Sequence, residues 1–119
     1  MEELLTLIEN QPNNIEARLQ LVKKLIDNQD YNAAKLQLIE ITSIDPDHLD
    51  ANYILGQICE FDEDYLKAVD CFEKIVEKQP LPELKYKLAE LYEHTDEYDK
   101  ALVIYKERLK TNPEDPDLC

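Results

Sequence analysis

Apolar residues recur at helical spacing along most of the chain, and the recurrence stops repeatedly at a proline. Ala17, Leu21, Val22 and Leu25 share one stripe of the segment that opens near Asn14, and Ala34, Leu38 and Ile41 share one stripe of the segment that opens at Tyr31. Spacings of three and four place side chains on one face of a helix, so each segment predicts an amphipathic helix of about four turns. The stretch "DYLKAVDCFEKIVEKQP", residues 64–80, has the same form, and Pro80 closes it. A proline cannot continue a helix because its nitrogen carries no hydrogen and its ring clashes with the preceding turn. The pattern therefore predicts pairs of helices, each pair punctuated at its end.

The pairs are copies of one another. Tyr31, Tyr65 and Tyr98 each stand three residues before an alanine (34, 68, 101) and fifteen before a proline (46, 80, 113). Prolines 12, 46, 80 and 113 are 34, 34 and 33 residues apart. A fixed period of this size marks a stacked array of supersecondary units. The third unit lacks one residue, and the position of the loss sets its register. A loss in the inter-unit linker "QPLPE" puts Leu84, Leu88, Ala89 and Tyr92 on the buried stripe. A loss in the turn "HTDE" puts Lys85, Ala89, Glu90 and Glu93 there. Burying three unpaired charges is prohibitive, so the linker carries the deletion.

These residues are similar to the signature of the tetratricopeptide repeat family. In the first helix of each unit a large apolar residue precedes a small one, and a third residue follows one turn on: Leu21-Val22 with Leu25, Leu55-Gly56 with Cys59, Leu88-Ala89 with Tyr92. The second helices show Tyr31, Ala34, Leu38; Tyr65, Ala68, Phe72; and Tyr98, Ala101, Tyr105. Where the family carries a tryptophan in its first helix, this chain has Arg18, Asn52 and Lys85. The resemblance covers residues 13–113 and implies an all-α fold, a right-handed superhelical solenoid of antiparallel helix pairs with about seven helices. The expected divisions are a leading half-repeat at 1–12, repeats at 13–46, 47–80 and 81–113, and an acidic tail at 114–119, in one continuous domain. Gly56, the alanines, the tyrosines and the prolines have structural work in such a unit and are not site residues.

The first twelve residues end at Pro12 in the phase of a second helix, with Leu4 and Ile8 aligned to Leu38 and Thr42. At the other end the last helix is expected to leave apolar surface around Ala101, Leu102, Tyr105 and Leu109 uncovered. Solenoids ordinarily hide such a surface under a polar cap. Either the chain is a stretch of a longer solenoid, or this end packs on another chain, including by self-association.

Composition narrows the function. With 27 acids against 13 bases the net charge is −14, a field that repels phosphate backbones and disfavours nucleic acid as partner. The middle unit, residues 47–80, is the most acidic, with nine acids and three bases. Neither a basic leader nor an apolar run of about 18 residues is present, so no membrane insertion is expected and a cytoplasmic location is. Cys59, Cys71 and Cys119 are odd in number and form no C-x-x-C pair, which indicates neither a disulfide framework nor a zinc site.

No catalytic motif stands out: there is no Gly-rich phosphate loop, no G-x-S-x-G and no H-E-x-x-H, and the single glycine excludes most anion-cradling turns. The chain reads as a non-enzyme without cofactor or metal. His48 and His94 have no nucleophile beside them in sequence. The acidic run "EFDEDY" at 60–65 lacks the glycine of a calcium loop. Asp62, Glu63 and Asp64 are expected instead to accept backbone N–H groups at a turn and helix start.

The surface expected to bind is the concave face, lined in such arrays by the first helices on the side away from the core. It collects Glu16, Leu19, Lys23, Ile26 and Asp27; Asp50, Tyr53, Gln57, Glu60 and Phe61; and Glu83, Tyr86, Glu90, Glu93 and His94, with Lys87 at its edge. This is an acidic, tyrosine-bearing groove. Carboxylates pair with Lys and Arg, and tyrosine rings stack on the same side chains, so the expected partner is a basic or amphipathic segment of another protein. Members of the family that hold acidic C-terminal peptides use a clamp of lysines, an arginine and asparagines on this face. Here Leu19 and Lys23 occupy the first unit's places and Glu83 stands where a lysine belongs, so no such clamp is expected. The reading is a protein-binding scaffold or adaptor; its alternatives are a solenoid segment, an oligomerisation unit or a client-specific chaperone.

Overall fold

The computed structural model describes residues 2–111; Pro113, the expected tail at 114–119 and Cys119 lie outside them. Seven helices are found among the described residues: α1 (Glu2–Asn10), α2 (Ile15–Asp27), α3 (Tyr31–Ile44), α4 (Leu49–Phe61), α5 (Tyr65–Lys78), α6 (Pro82–His94) and α7 (Tyr98–Thr111). Each packs on the next in sequence, α2 on α3, α4 on α5 and α6 on α7 within hairpins, with α1–α2, α3–α4 and α5–α6 between them. The result is an elongated all-α solenoid of 53 × 24 × 22 Å.

Local chemistry repeats with the units. Asn14, Asp30 and Asp64 cap α2, α3 and α5, each side chain accepting the backbone N–H three residues on at 3.1, 3.3 and 3.4 Å. His48 does the same for α4, its Nδ1 accepting from the Ala51 N–H at 3.1 Å. Such caps satisfy donors that a helix start leaves open. Each first helix ends in the same tight turn, with Gln29, Glu63 and Asp96 at φ 62°, 64° and 62°. The next N–H reaches back five residues in all three, Asp30 to Leu25, Asp64 to Cys59 and Glu97 to Tyr92, each at 2.8 Å. This is the Schellman closure, which holds its left-handed residue without glycine at a cost of about 1–2 kcal/mol. The second helices α3 and α5 stop in extended residues, Asp45 and Gln79, that precede the prolines.

The linker accounts for the short third unit. Three residues separate the helices of every hairpin, whereas α6 begins two residues after Pro80 and α2 and α4 begin three after theirs. Leu88, Ala89 and Tyr92 are buried, as the linker deletion requires. The shortened start has no side-chain cap, and Pro82 in the first turn removes one donor in its place.

One continuous core runs through the array, from Ile8 and Val22 through Leu38, Leu55 and Phe72 to Leu91 and Ala101. Gly56 belongs to it for a steric reason: a Cβ there would lie 2.8 Å from Cε2 of the buried Phe72. Cys59 and Cys71 are buried free thiols, and burial raises both pKa values, that of Cys71 to about 12.

Some expectations are corrected. Two of the three positions where the family carries a tryptophan hold polar side chains with defined hydrogen bonds. Arg18 is buried and donates from Nε to the Pro12 carbonyl at 2.8 Å and from Nη1 to Gln37 at 2.8 Å. Asn52, 1% exposed, donates to the carbonyls of Pro46 and His48, both at 2.9 Å. In both units a polar side chain clasps the linker's proline carbonyl six residues back. Lys85 does not, because the linker before it is shorter; it faces Glu107 of α7 at 3.9 Å. Of the acidic trio only Asp64 caps a helix, while Asp62 pairs with Lys35 at 3.5 Å and Glu63 occupies the left-handed turn position. Ala101, expected on the uncovered end, is buried by its own hairpin, and Tyr105 beside it is partly buried; Leu102 and Leu109 are exposed.

Candidate functional site

The first helices α2, α4 and α6 carry the residues expected on the concave face, at matching places set by the repeat. Glu16, Lys23 and Asp27 are exposed on α2, Asp50, Tyr53, Gln57 and Phe61 on α4, and Glu83, Glu93 and His94 on α6, while Ile26, Glu60, Tyr86, Lys87 and Glu90 are half-buried. Leu19 departs from the expectation. It is buried in the apolar cluster, its shorter side chain lying within the core where the matching Tyr53 projects.

The two tyrosines are packed as well as presented. Tyr53 meets Phe72 edge-on with ring centroids 6.0 Å apart, and Tyr86 meets Tyr105 edge-on at 5.7 Å. The guanidinium of Arg108 lies 4.1 Å from the centre of the Tyr86 ring. One face of Tyr86 is thus already used by a cation of this same chain. Tyr105 also donates its hydroxyl to Glu93 at 2.9 Å, and burial together with that carboxylate raises its pKa to about 12.

The decisive geometry lies between the first helices. Between the C-terminal ends of α2 and α4 is a cavity of about 210 Å³ lined by Ile26, Tyr31, Ile54, Gln57, Ile58 and Phe61. Only Gln57 among these ends in an amide. Phe61 is 80% exposed and lies 6.1 Å, centroid to centroid, from Tyr31, so the cavity has an aromatic rim. A cavity on the order of 150 Å³ lined by apolar groups holds benzene, so this one has room for one leucine, methionine or phenylalanine side chain.

The matching places one unit along are filled differently. Ile26, Ile54, Gln57 and Phe61 correspond to Glu60, Lys87, Glu90 and His94. Lys87 bridges to Glu60 at 3.0 Å and to Glu90 at 3.9 Å, and His94 stacks flat on Tyr65 with centroids 4.1 Å apart. The same backbone frame therefore makes an open apolar cavity between α2 and α4 and an ion-paired seam between α4 and α6. It also lowers the acidity of the groove, because three of its carboxylates, Glu60, Glu90 and Glu93, already have partners within the chain.

Reading each helix separately finds Ile26, Gln57 and Phe61 but not the cavity. Ile54 and Ile58 fall on neither the core stripe nor the groove list, Tyr31 is given structural work only, and the approach of α2 to α4 brings them together. No group of three or more His, Cys, Asp or Glu among the described residues is arranged to hold a metal ion. No helix among them is long and apolar enough to cross a membrane.

Two tetratricopeptide repeat models match the sequence, one over residues 49–80 and one over residues 82–119. No curated protein sequence matches it. Among solved structures, the fold is similar to a crystal structure of MamA with a TM-score of 0.73 and 26% identity, covering 92% of this chain and 65% of that one. A MamA RS-1 ArsTM double mutant superposes with a TM-score of 0.75 at 21% identity, covering 97% of this chain and 65% of that one. The chain spans slightly less than two thirds of these MamA chains.

Proposed function

The chain belongs to the tetratricopeptide repeat family of protein-interaction scaffolds, and from that premise we propose that it is a non-enzymatic adaptor whose concave groove holds an amphipathic segment of a partner protein. One apolar side chain of the segment enters the cavity between α2 and α4, and neighbouring basic side chains face the exposed carboxylates around it. The observation that carries this reading is the cavity with Ile26, Ile54 and Phe61 on its wall. It is apolar where the matching seam is ion-paired, so it presents desolvatable surface that no side chain among the described residues fills. Asp27, next to Ile26, and Asp50, one turn before Ile54, are exposed and supply the acidic rim.

The test is a selection of displayed peptides on the immobilised full chain, repeated with Ile26→Glu combined with Ile54→Lys. That pair transplants the Glu60–Lys87 arrangement into the first interspace, which the fold accommodates one unit along. Peptides enriched on the parent are expected to share one bulky apolar residue with Lys or Arg nearby, and to be lost from the variant while its circular dichroism is unchanged. Enrichment of acidic peptides, or retention of the same peptides by the variant, refutes the assignment.

A further inference from the structure

The two ends of the solenoid expose faces that its interior covers. Val69 of α5 is 6% exposed because α6 packs on it, whereas the matching Leu102 of α7 is 50% exposed. Tyr65 and Val76 are half-buried, and their counterparts Tyr98 and Leu109 are exposed. Lys106 replaces Glu73, which accepts the Tyr92 hydroxyl in the interior. At the other end Leu7 of α1 is 37% exposed where the matching Ile41 and Ile75 are at 0% and 3%. Leu4 is half-buried where Leu38 and Phe72 are fully buried.

These end faces are opposite in charge, which the overall excess of acid conceals. Helix α1 carries Glu2, Glu3 and Glu9 and no base, while α7 carries Lys100, Lys106, Arg108 and Lys110 against Asp99 and Glu107. Exposed Lys106 lies on the α7 stripe between Leu102 and Leu109, with exposed Lys110 next to it. Exposed Glu3 flanks Leu4 and Leu7 on α1. We propose that the chain associates head to tail, the α1 face of one copy covering the α7 face of the next, with leucines meeting leucines and Glu3 meeting Lys106.

Two different faces make such a contact heterologous, so it propagates instead of closing into a pair. The net charge of −14 opposes it at long range. At about 0.15 M salt that repulsion is screened beyond about 8 Å, while charges in contact still attract. An interface of a few leucines and lysines lies at the small, transient end of protein contacts, so association is expected only from roughly 0.1 to 1 mM.

The experiment is sedimentation velocity of the full chain over that range in about 0.15 M salt. The weight-average sedimentation coefficient is expected to rise steadily with concentration, without a plateau at dimer. Two variants block one face each: Leu102→Asn with Lys106→Glu on α7, and Glu3→Lys with Leu7→Asn on α1. Each alone should stay monomeric, and their mixture should stop at a one-to-one complex, because only one good pair of faces remains. All four positions are solvent-exposed, and circular dichroism verifies folding. A charge-only version, Lys106→Glu and Glu3→Lys made singly and then together, keeps the test open if the leucine changes unfold the chain; the double change should restore association that either single change removes. A parent that remains monomeric to about 1 mM overturns the proposal, as does either blocked variant that still associates with itself.

Discussion

Replacing Asn52 by alanine removes two hydrogen bonds from a site with 1% exposure, those to the carbonyls of Pro46 and His48 at 2.9 Å each. Each bond contributes about 1–1.5 kcal/mol, so a loss of about 2–3 kcal/mol is expected. Unfolding entropy near 2.1 cal/mol/K per residue gives about 0.25 kcal/mol/K for a chain of 119 residues, which puts the fall in Tm near 8–12 °C. Lys85 occupies the matching place in the third unit, but its contact is a half-exposed ion pair with Glu107 at 3.9 Å. Such pairs contribute about 0–0.5 kcal/mol, so Lys85→Ala should move Tm by no more than about 2 °C. Thermal and urea melts followed by circular dichroism compare the two. Asn52→Asp, which keeps the shape and loses the donor, should cost at least as much as the alanine. Equal drops for Asn52→Ala and Lys85→Ala would refute the claim that the side chain in the tryptophan position ties each first helix to the linker before it.

Other perturbations probe the remaining physics. Gly56→Ala gains about 1 kcal/mol in helix propensity but sets a Cβ 2.8 Å from Cε2 of Phe72, an overpacking cost of about 1–3 kcal/mol. Combined with Phe72→Leu, which imitates Val22 and Leu38 of the first unit, it should lose at least about 1 kcal/mol less than the two single changes summed, measured by a urea double-mutant cycle. Gln29→Gly relieves a left-handed residue at φ 62° and should raise the urea midpoint by an amount equivalent to about 0.5–1 kcal/mol. Cys71 and Tyr105, both raised to about 12, and Tyr92, raised by burial and by Glu73, hold more protons folded than unfolded. Their stabilisation is complete below the unfolded thiol value of 9.0 and is lost as pH climbs toward 12, so urea midpoints should fall steadily above pH 9 and fall less steeply in Cys71→Ala.

Which parts of this molecule were legible in its sequence follows from how far apart the interacting residues are. The register of the third unit was readable because the alternative buried Lys85, Glu90 and Glu93, an energy difference large enough to decide from residue types alone. The repeat itself rests on contacts between neighbours, such as Gly56 with Phe72, whose matching places recur in every copy. The clasp of Pro46 by Asn52 was hidden because an asparagine in a tryptophan's place reads as a missing packing residue, although its amide also offers two donors. Leu19 and Ala101 were misplaced because a stripe counted on one helix does not show which neighbour lies over it. The cavity was missed for the same reason, since its walls come from three helices.

The groove expected from composition was acidic, and the structure divides that acidity unequally. Glu60 and Glu90 meet Lys87, and Glu93 accepts the hydroxyl of Tyr105, so these groove acids of the second and third units are used internally. Between α2 and α4 nothing equivalent occurs, because isoleucines stand where the other interspace has Glu60 and Lys87. With the core positions fixed by packing, the four matching concave places differ between the two interspaces, and one set closes a seam while the other leaves it open. A partner's apolar anchor would then supply most of the affinity and set the dissociation rate, whereas the rim carboxylates would govern approach and its dependence on salt. On that division of labour, Phe61→Ala should speed release of a bound segment severalfold with little change in its association rate, and Asp50→Asn should do the reverse.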